Sequence, residues 1–153
     1  MATYTSKNCK INDDYKSPIK IWSDIKEYIP TDKVIWCPFY FNGDHTLKDL
    51  GYDIIHKDEN FFDTDYGEIV IDNPPFSIKK EVINRLMLID KPFILIMPVS
   101  TLCYKYARCL RDNIQIIIPN GRVKYTIDNK SPSFDSIYYC YKMNLKKDII
   151  YLK

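Results

Sequence analysis

Short apolar runs bounded by turn residues recur along the chain and alternate with stretches of helical periodicity. Apolar segments of this kind, which end at proline, glycine or asparagine, are typical of strands in the core of a sheet. The predicted strands cover residues 34–37, 53–56, 69–72, 93–97, 114–118 and 136–143, and residues 149–152 are expected to pair at an edge. Strands that alternate with helices predict an α/β fold, in which a parallel sheet is covered on both faces.

Apolar residues spaced three or four apart predict helices between these strands. The predicted helices cover residues 17–30, 47–50, 78–89 and 102–110. The first helix is expected to begin with Ser17 as its cap and Pro18 in its first turn, and to end at Pro30. Ligands of parallel sheets bind at the carboxyl ends of the strands, so the loops after Cys37, His56 and Asp72 are the expected location of a site.

The size and charge of the chain are those of one ordinary domain. Its 153 residues are 46% hydrophobic and 27% charged, which predicts a single globular domain over residues 1–153 with a polar arm at about 1–16. The net charge of +2 excludes a protein that coats a polyanion with its whole surface, but it allows a local basic patch. No apolar run approaches the roughly 18 residues of a membrane helix, so no membrane partner is expected.

The five cysteines and two histidines lack the spacing of a zinc site or a disulfide framework. We therefore expect no metal and a reduced, cytoplasmic compartment, in a host cell if the protein is viral. His56 is interpreted as a residue at a strand end, and His45 as a residue of a surface loop.

The segment Asn73-Pro74-Pro75-Phe76 follows the strand predicted at 69–72. The two prolines fix the backbone and remove two N–H donors, which leaves carbonyl oxygens and the Asn73 side chain as acceptors. A rigid group of acceptors suits a planar amino group, and Phe76 offers a flat face on which the ring that carries the amine can stack. The pattern thus favours an extruded base over a phosphate or a metal. The alternative is a Pro-Pro turn followed by a core aromatic.

This segment resembles the Asp/Asn/Ser-Pro-Pro-Tyr/Phe motif of class I S-adenosylmethionine-dependent methyltransferases, and above all that of adenine N6 DNA methyltransferases of bacteria, phages and large viruses. The resemblance implies a compact Rossmann-like fold, S-adenosylmethionine as cofactor without a metal, and nucleic acid as partner. In the family, the first side chain and the first proline carbonyl hold the target amine, and the aromatic stacks on the flipped base. The implied catalytic residues are Asn73, Pro74, Pro75 and Phe76.

The resemblance also implies binding residues in the family's order along the chain. For the cofactor, the implied residues are Ser17 and Pro18 at its methionine end, and Pro38, Phe39 and Gly43 in the loop that binds it. Asp58 is implied for the ribose and Asn60 and Phe61 for the adenine, and Asn73 also belongs to the cofactor set. Those for the substrate are Phe76, Ser77, Arg122 and Lys124, of which the two basic residues follow a strand end and suit phosphates. Ser77 also fits the subgroup written Asn-Pro-Pro-Phe-Ser.

Two positions of the cofactor loop differ from the family's acid-Pro-x-x-Gly-x-Gly pattern. Cys37 stands in place of the acid and Phe41 in place of the first glycine, where glycine normally lets the backbone approach a ligand. The family's usual strand between Phe61 and Asn73 must be short or absent, because about a dozen residues separate them.

The motif alone does not choose the substrate, since relatives with Asn-Pro-Pro-aromatic also methylate RNA adenine, ribosomal guanine and a protein glutamine amide. Ser77 and the compact chain favour adenine in DNA. A non-catalytic relative that binds nucleic acid or supports a partner is an alternative, and a generic nucleotide-binding domain is a weaker one. The chain has little room for a recognition domain, so a second copy or a partner subunit is expected to supply target recognition.

Overall fold

One sheet organises residues 17–39, 45–123 and 135–153, which are the residues that the computed structural model describes. Its strands are β1 (Ile35–Trp36), β2 (Ile54–Ile55), β3 (Ile69–Asp72), β4 (Phe93–Pro98), β5 (Ile114–Ile118), β6 (Ser136–Tyr141) and β7 (Ile149–Tyr151). The α-helices are α1 (Ile19–Ser23), α2 (Thr46–Asp49) and α3 (Lys79–Ile89). Short 3-10 helices cover Lys26–Tyr28, Phe61–Asp63, Phe76–Ile78, Val99–Cys103 and Lys105–Leu110. The arm predicted at 1–16, Gly43, Phe41 and Lys124 lie outside the described residues.

The strands lie in the order β2-β1-β3-β4-β6-β5-β7. The pairs that β1 forms with β2 and β3 are parallel, as are β3 with β4 and β5 with β7, whereas β6 is antiparallel to both β4 and β5. The chain moves from β1 to β2 on one side and then crosses to β3 on the other side. Strand order therefore reverses between β1 and β3, and a crevice at the carboxyl ends of such strands is the usual ligand site of an open α/β sheet.

Alternate residues of the strands point to opposite faces of the sheet, and helices bury both faces. On one face, Val70 and Leu95 pack in a fully buried cluster with Leu86 of α3. On the other face, Ile71 and Ile94 are buried in a cluster with Trp22 of α1. This two-sided burial explains why the strand sequences are continuous apolar runs, and it confirms the predicted α/β class with helices on both faces.

Two predicted helices differ from the observed elements. The helix predicted at 17–30 is split into α1 and the 3-10 helix Lys26–Tyr28, and Pro18, not Ser17, occupies the cap position of α1. The helix predicted at 102–110 is instead a pair of 3-10 helices, with Tyr104 extended between them at φ −78° and ψ 143°. The buried positions Thr101, Ala107 and Leu110 are separated by multiples of three, which is the period of a 3-10 helix.

The other predicted elements agree with the structure to within a few residues. Between β2 and β3, every residue of which is described, the chain forms only the 3-10 helix Phe61–Asp63, so the usual intervening strand is absent as expected. The C-terminal strand pairs at the edge next to β5, as predicted. No helix within the described ranges is both long enough and apolar enough to cross a membrane.

Helix α1 is attached to the sheet by a buried hydrogen bond. The Tyr138 hydroxyl on β6 donates to the Ile21 carbonyl oxygen at 2.5 Å, across 117 positions of sequence. The Trp22 ring is fully buried and meets the Tyr138 ring edge-on, with their centroids 6.5 Å apart. Because α1 follows directly after Ser17 and Pro18, this bond also helps to position the first predicted site residues.

We predict that Tyr138→Phe lowers the free energy of unfolding by about 1–2 kcal/mol, because the buried Ile21 carbonyl loses its hydroxyl donor. Urea unfolding followed by circular dichroism measures the change. Tyr151→Phe is the matched control, since Tyr151 is 71% exposed on the edge strand and should be neutral. Equal stability of Tyr138→Phe and wild type would contradict the role given to this bond.

Candidate functional site

A buried carboxylate lies at the carboxyl end of β3, beside the point where strand order reverses. Asp72 is 3% exposed. Its Oδ2 accepts the Phe39 backbone N–H at 2.8 Å, and its Oδ1 accepts the Asn73 backbone N–H at 2.8 Å. The same Oδ1 lies 2.9 Å from Nε2 of His45. A buried carboxylate requires such donors, so Asp72 ties the loop after β1 and the start of α2 to the end of β3.

The His45 side chain caps α2 and donates to Asp72 at the same time. The Leu47 backbone N–H donates to Nδ1 at 3.2 Å, so Nδ1 is an acceptor and the ring proton sits on Nε2, which faces Asp72. The side chain is 7% exposed, and its ring stacks on Trp22 with centroids 6.2 Å apart. The prediction that His45 is a surface-loop residue is wrong, because the buried Asp72 and Trp22 draw it inward.

His56 and Cys37 lie at the ends of β2 and β1, close to His45 and Asp72. His56 lies directly after β2, as predicted, and its Nδ1 is 2.7 Å from the Cys37 carbonyl oxygen. Its ring meets the His45 ring edge-on at 5.1 Å. Cys37 is fully buried, and burial together with the nearby Asp72 carboxylate raises the pKa of its thiol well above the ordinary value. At neutral pH, Cys37 is therefore a neutral thiol beside Asp72.

The Asn-Pro-Pro-Phe segment leaves the sheet directly after Asp72. The Asn73 Nδ2 donates to Ser17 Oγ at 3.1 Å, so two residues predicted for the site meet although 56 positions separate them. Pro74 and Pro75 are buried, Phe76 is half-buried, and Ser77 is exposed in the 3-10 helix that follows. The Pro75 carbonyl accepts the Ile78 N–H at 3.2 Å and closes that turn. This packing gives the segment a fixed backbone.

Phe39 of the predicted cofactor loop and Phe61 of the predicted adenine site form an aromatic layer behind β1. Phe39 is 5% exposed and its ring lies 5.1 Å from that of Phe61, which is fully buried and contacts Trp36 at 5.5 Å. Pro38 is buried beside them. The two aromatic rings thus support the loop from the protein core.

The polar residues after β2 have distinct environments. The Asn60 Oδ1 accepts the Phe62 N–H at 3.2 Å and its Nδ2 donates to Asp63 at 2.8 Å, so its carboxamide caps the 3-10 helix Phe61–Asp63. Asp58 is exposed. The neighbouring Glu59 accepts the Tyr66 hydroxyl at 2.6 Å. The side chains of Asp58, Glu59 and Asp63 are all exposed at this end of β2.

Arg122 lies on the same edge of the sheet but three strands away from β3. It follows β5, which runs in the same direction as β4 because both are antiparallel to β6. Its Nε donates to Asp135 at 2.8 Å, and half of its side chain is exposed. A cavity of about 350 Å³ is lined by Arg122, by Pro18 just before α1 and by Tyr138 of β6. Lys124 and Gly43 lie outside the described residues.

Sequence reasoning missed three side chains of this region. The sequence places Asp72 only at the end of a strand, His45 in a surface loop and Tyr104 within a helix. In the structure, the Lys79 ammonium lies over the rings of both Tyr104 and Phe76. The available signal for Asp72 was a charged residue at the end of an otherwise apolar strand, which folding buries only with partners. Within the described ranges, no group of three His, Cys, Asp or Glu side chains is placed to hold a metal ion.

Comparison with known proteins gives a likeness of fold. No protein-family model and no curated protein matches the chain. Among solved structures, a dimethyladenosine transferase from Plasmodium falciparum is similar, with a TM-score of 0.53 and 11% sequence identity over 83% of this chain and 62% of that one. This chain thus spans less than two thirds of that protein. The likeness agrees with the predicted Rossmann-like α/β fold, and at this identity it shows the fold alone.

We predict that His45→Ala lowers the free energy of unfolding by about 2–3 kcal/mol, since it removes both the cap of α2 and a donor to a buried carboxylate. His45→Asn should recover about 1 kcal/mol of this loss, because asparagine caps helices well but is too short to reach Asp72. Chemical denaturation of the three proteins measures the series. Equal losses in the two variants would contradict a separate capping contribution.

Proposed function

We propose that the protein is an S-adenosylmethionine-dependent methyltransferase that acts on the exocyclic amino group of a nucleobase, specifically N6 of adenine in DNA. The observation that carries this proposal is the Asn-Pro-Pro-Phe segment at the carboxyl end of β3, beside the reversal of strand order, with Asn73 held by Asp72 and Ser17. The fold likeness to a protein named a dimethyladenosine transferase agrees with methylation of an adenine amine and makes adenine in RNA the second candidate.

The orientation of Asn73 supports the role of an amine clamp. Because Nδ2 donates to Ser17, the carboxamide oxygen lies on the opposite side of the group and can act only as an acceptor. The Asn73 carboxamide oxygen and the Pro74 carbonyl oxygen would each accept one amine hydrogen. Together they would turn the nitrogen lone pair toward the methyl donor. Phe76, half-buried at the start of the 3-10 helix, would stack on the base.

The described residues fit the cofactor by the chemistry of their donors and acceptors. Ser17 and Pro18 would face its methionine end, Pro38 and Phe39 would supply the backbone of the cofactor loop, and Asn60 and Phe61 would support the adenine end. Asp58, exposed just beyond β2, suits the ribose hydroxyls, as an acid does at the corresponding place in dinucleotide-binding α/β sheets. An activated methyl group on a sulfonium is what this cofactor supplies when bound.

The protein's own contribution is alignment and exclusion of water. The exocyclic amine of a nucleobase is a weak nucleophile because its lone pair is conjugated with the ring. The acceptors of the clamp would draw this lone pair out of conjugation and hold the nitrogen in line with the activated methyl, and such positioning is a large part of many enzymatic rate enhancements. The rigid prolines suit this task because they do not adapt to a misplaced amine. The proton released from the methylated amine passes to solvent. The proposal includes a second copy or a partner subunit as the source of target recognition.

We predict that Asn73→Ala reduces methyl transfer by about 100-fold or more, because the amine loses one of its two acceptors. Transfer of labelled methyl groups to adenine-containing oligonucleotides of the same sequence in DNA and in RNA measures the effect and distinguishes the two substrates. Asn84→Ala is the matched control, since Asn84 is an exposed residue of α3. Full activity in a folded Asn73→Ala protein would refute the clamp.

Calorimetric titration with S-adenosylmethionine and its demethylated product tests the cofactor half of the proposal. We expect micromolar binding by wild type and by Asn84→Ala. Binding to neither ligand by a folded protein would overturn the enzymatic proposal in favour of a non-catalytic relative.

A further inference from the structure

An aromatic and cationic surface lies directly beside Phe76 and is not used by the clamp. We call it the tyrosine platform and define it by Lys79, Tyr104 and Tyr106. The Lys79 Nζ is 5.8 Å from the centroid of the Phe76 ring and 5.5 Å from that of the Tyr104 ring. The rings of Tyr104 and Tyr106 stack at 5.3 Å with an interplanar angle of 14°. One ammonium group therefore connects the clamp aromatic to a stacked pair of tyrosines.

The backbone presents Tyr104 to solvent. Tyr104 is the extended residue between two 3-10 helices, and it is 46% exposed, whereas Thr101 and Ala107 on either side are buried. The position of this turn follows from topology, because the helix Val99–Cys103 begins where β4 ends and β4 is the neighbour of β3. The platform and the Asn-Pro-Pro-Phe segment thus leave adjacent strands at the same edge of the sheet.

The chain segment that carries Tyr104 and Tyr106 is positively charged. Residues 99–111 contain three basic side chains and no acid, and Lys105 and Arg108 are exposed in the same 3-10 helix as Tyr106. Lys79 and Lys80 add two more positive charges at the start of α3. Burial, then the neighbouring Tyr104 and then the acidic Glu81 raise the pKa of the Tyr106 hydroxyl, so one acid lies near this pair. Basic residues interleaved with an exposed aromatic are typical of surfaces that bind single-stranded nucleic acid.

We propose that Tyr104 stacks on a base next to the target nucleotide in a single-stranded segment of DNA, while Lys105 and Arg108 neutralise its phosphates. This proposal rests on the proposed function. A ring can stack only on a base whose face is uncovered, and the bases of an intact duplex cover one another. The tyrosine pair presents a flat surface with little conformational freedom to lose, and Lys79 spans the distance from this surface to the Phe76 ring.

Fluorescence anisotropy with a labelled single-stranded DNA oligonucleotide tests the platform. We expect Tyr104→Ala to raise the dissociation constant about tenfold, a typical effect of losing one stacked base. Tyr104→Phe should bind like wild type, because stacking uses the ring and not the hydroxyl. Tyr151→Ala is the matched control, since it removes an exposed tyrosine ring from the far edge of the sheet. Unchanged affinity of Tyr104→Ala would overturn the proposal.

A second pair of measurements separates stacking from charge and single strands from duplexes. Lys105→Gln should weaken binding and lower its salt dependence, whereas Tyr104→Ala should leave the salt dependence unchanged. Wild type should bind the single strand more tightly than the duplex of the same sequence, and equal affinity would overturn the proposal. A single-stranded RNA of the same sequence should show the same loss in Tyr104→Ala, since a ring stacks on either kind of base.

Failure of this proposal is distinguishable from failure of the proposed function. If wild type transfers methyl groups and Tyr104→Ala binds the oligonucleotide normally, the platform is refuted and the enzyme stands. If wild type binds the oligonucleotide through Tyr104 but binds no S-adenosylmethionine, the enzyme is refuted and the platform stands.

Discussion

The buried carboxylate of Asp72 is the constraint on which the crevice depends. A charge that folding removes from water must receive hydrogen bonds, and Asp72 receives them from the loop after β1, from the start of α2 and from Asn73. Two of the donors are backbone N–H groups, so the requirement fixes the path of the chain and not only a side chain. Asp72 thereby holds both Phe39, just after β1, and His45, just before α2.

The same constraint is compatible with a cysteine at position 37, where the methyltransferase motif that this chain resembles has an acid. Cys37 is buried close enough to Asp72 for the carboxylate to raise the pKa of its thiol. A second carboxylate at this position would repel Asp72 in surroundings that screen charge poorly, and one of the two would have to take up a proton. A neutral thiol fills the space without that conflict. The departure at position 37 is therefore compatible with an intact crevice, in which the negative charge lies on β3.

The sequence predicts those elements that depend on neighbouring residues along the chain, and it does not predict contacts between distant residues. Strands β3 and β5 match their predicted ranges because both are rich in apolar residues and both end at a strong stop signal. β3 ends at Asp72-Asn73-Pro74, and β5, which is isoleucine except for Gln115, ends before Pro119. Ser17 carried a good local capping signal, yet its hydroxyl accepts from Asn73, 56 positions away. His45 looked like a loop residue because its partner Asp72 is 27 positions away. The Asn-Pro-Pro-Phe segment could be predicted as a site from its motif, whereas its contacts with Asp72 and Ser17 depend on the fold.

In the proposed function, a rigid clamp determines where specificity would arise. Acceptors such as the Asn73 carboxamide and the Pro74 carbonyl can distinguish an amine from a carbonyl, but adenine, cytosine and guanine all carry an exocyclic amine. A clamp that does not adapt would leave the choice of base to stacking on Phe76 and to contacts with the neighbouring nucleotides. The Lys79 ammonium lies over the rings of both Phe76 and Tyr104, so under the two proposals a flanking base and the target base would act on one shared side chain. The position of the strand on the protein surface and the choice of the base would then be physically coupled.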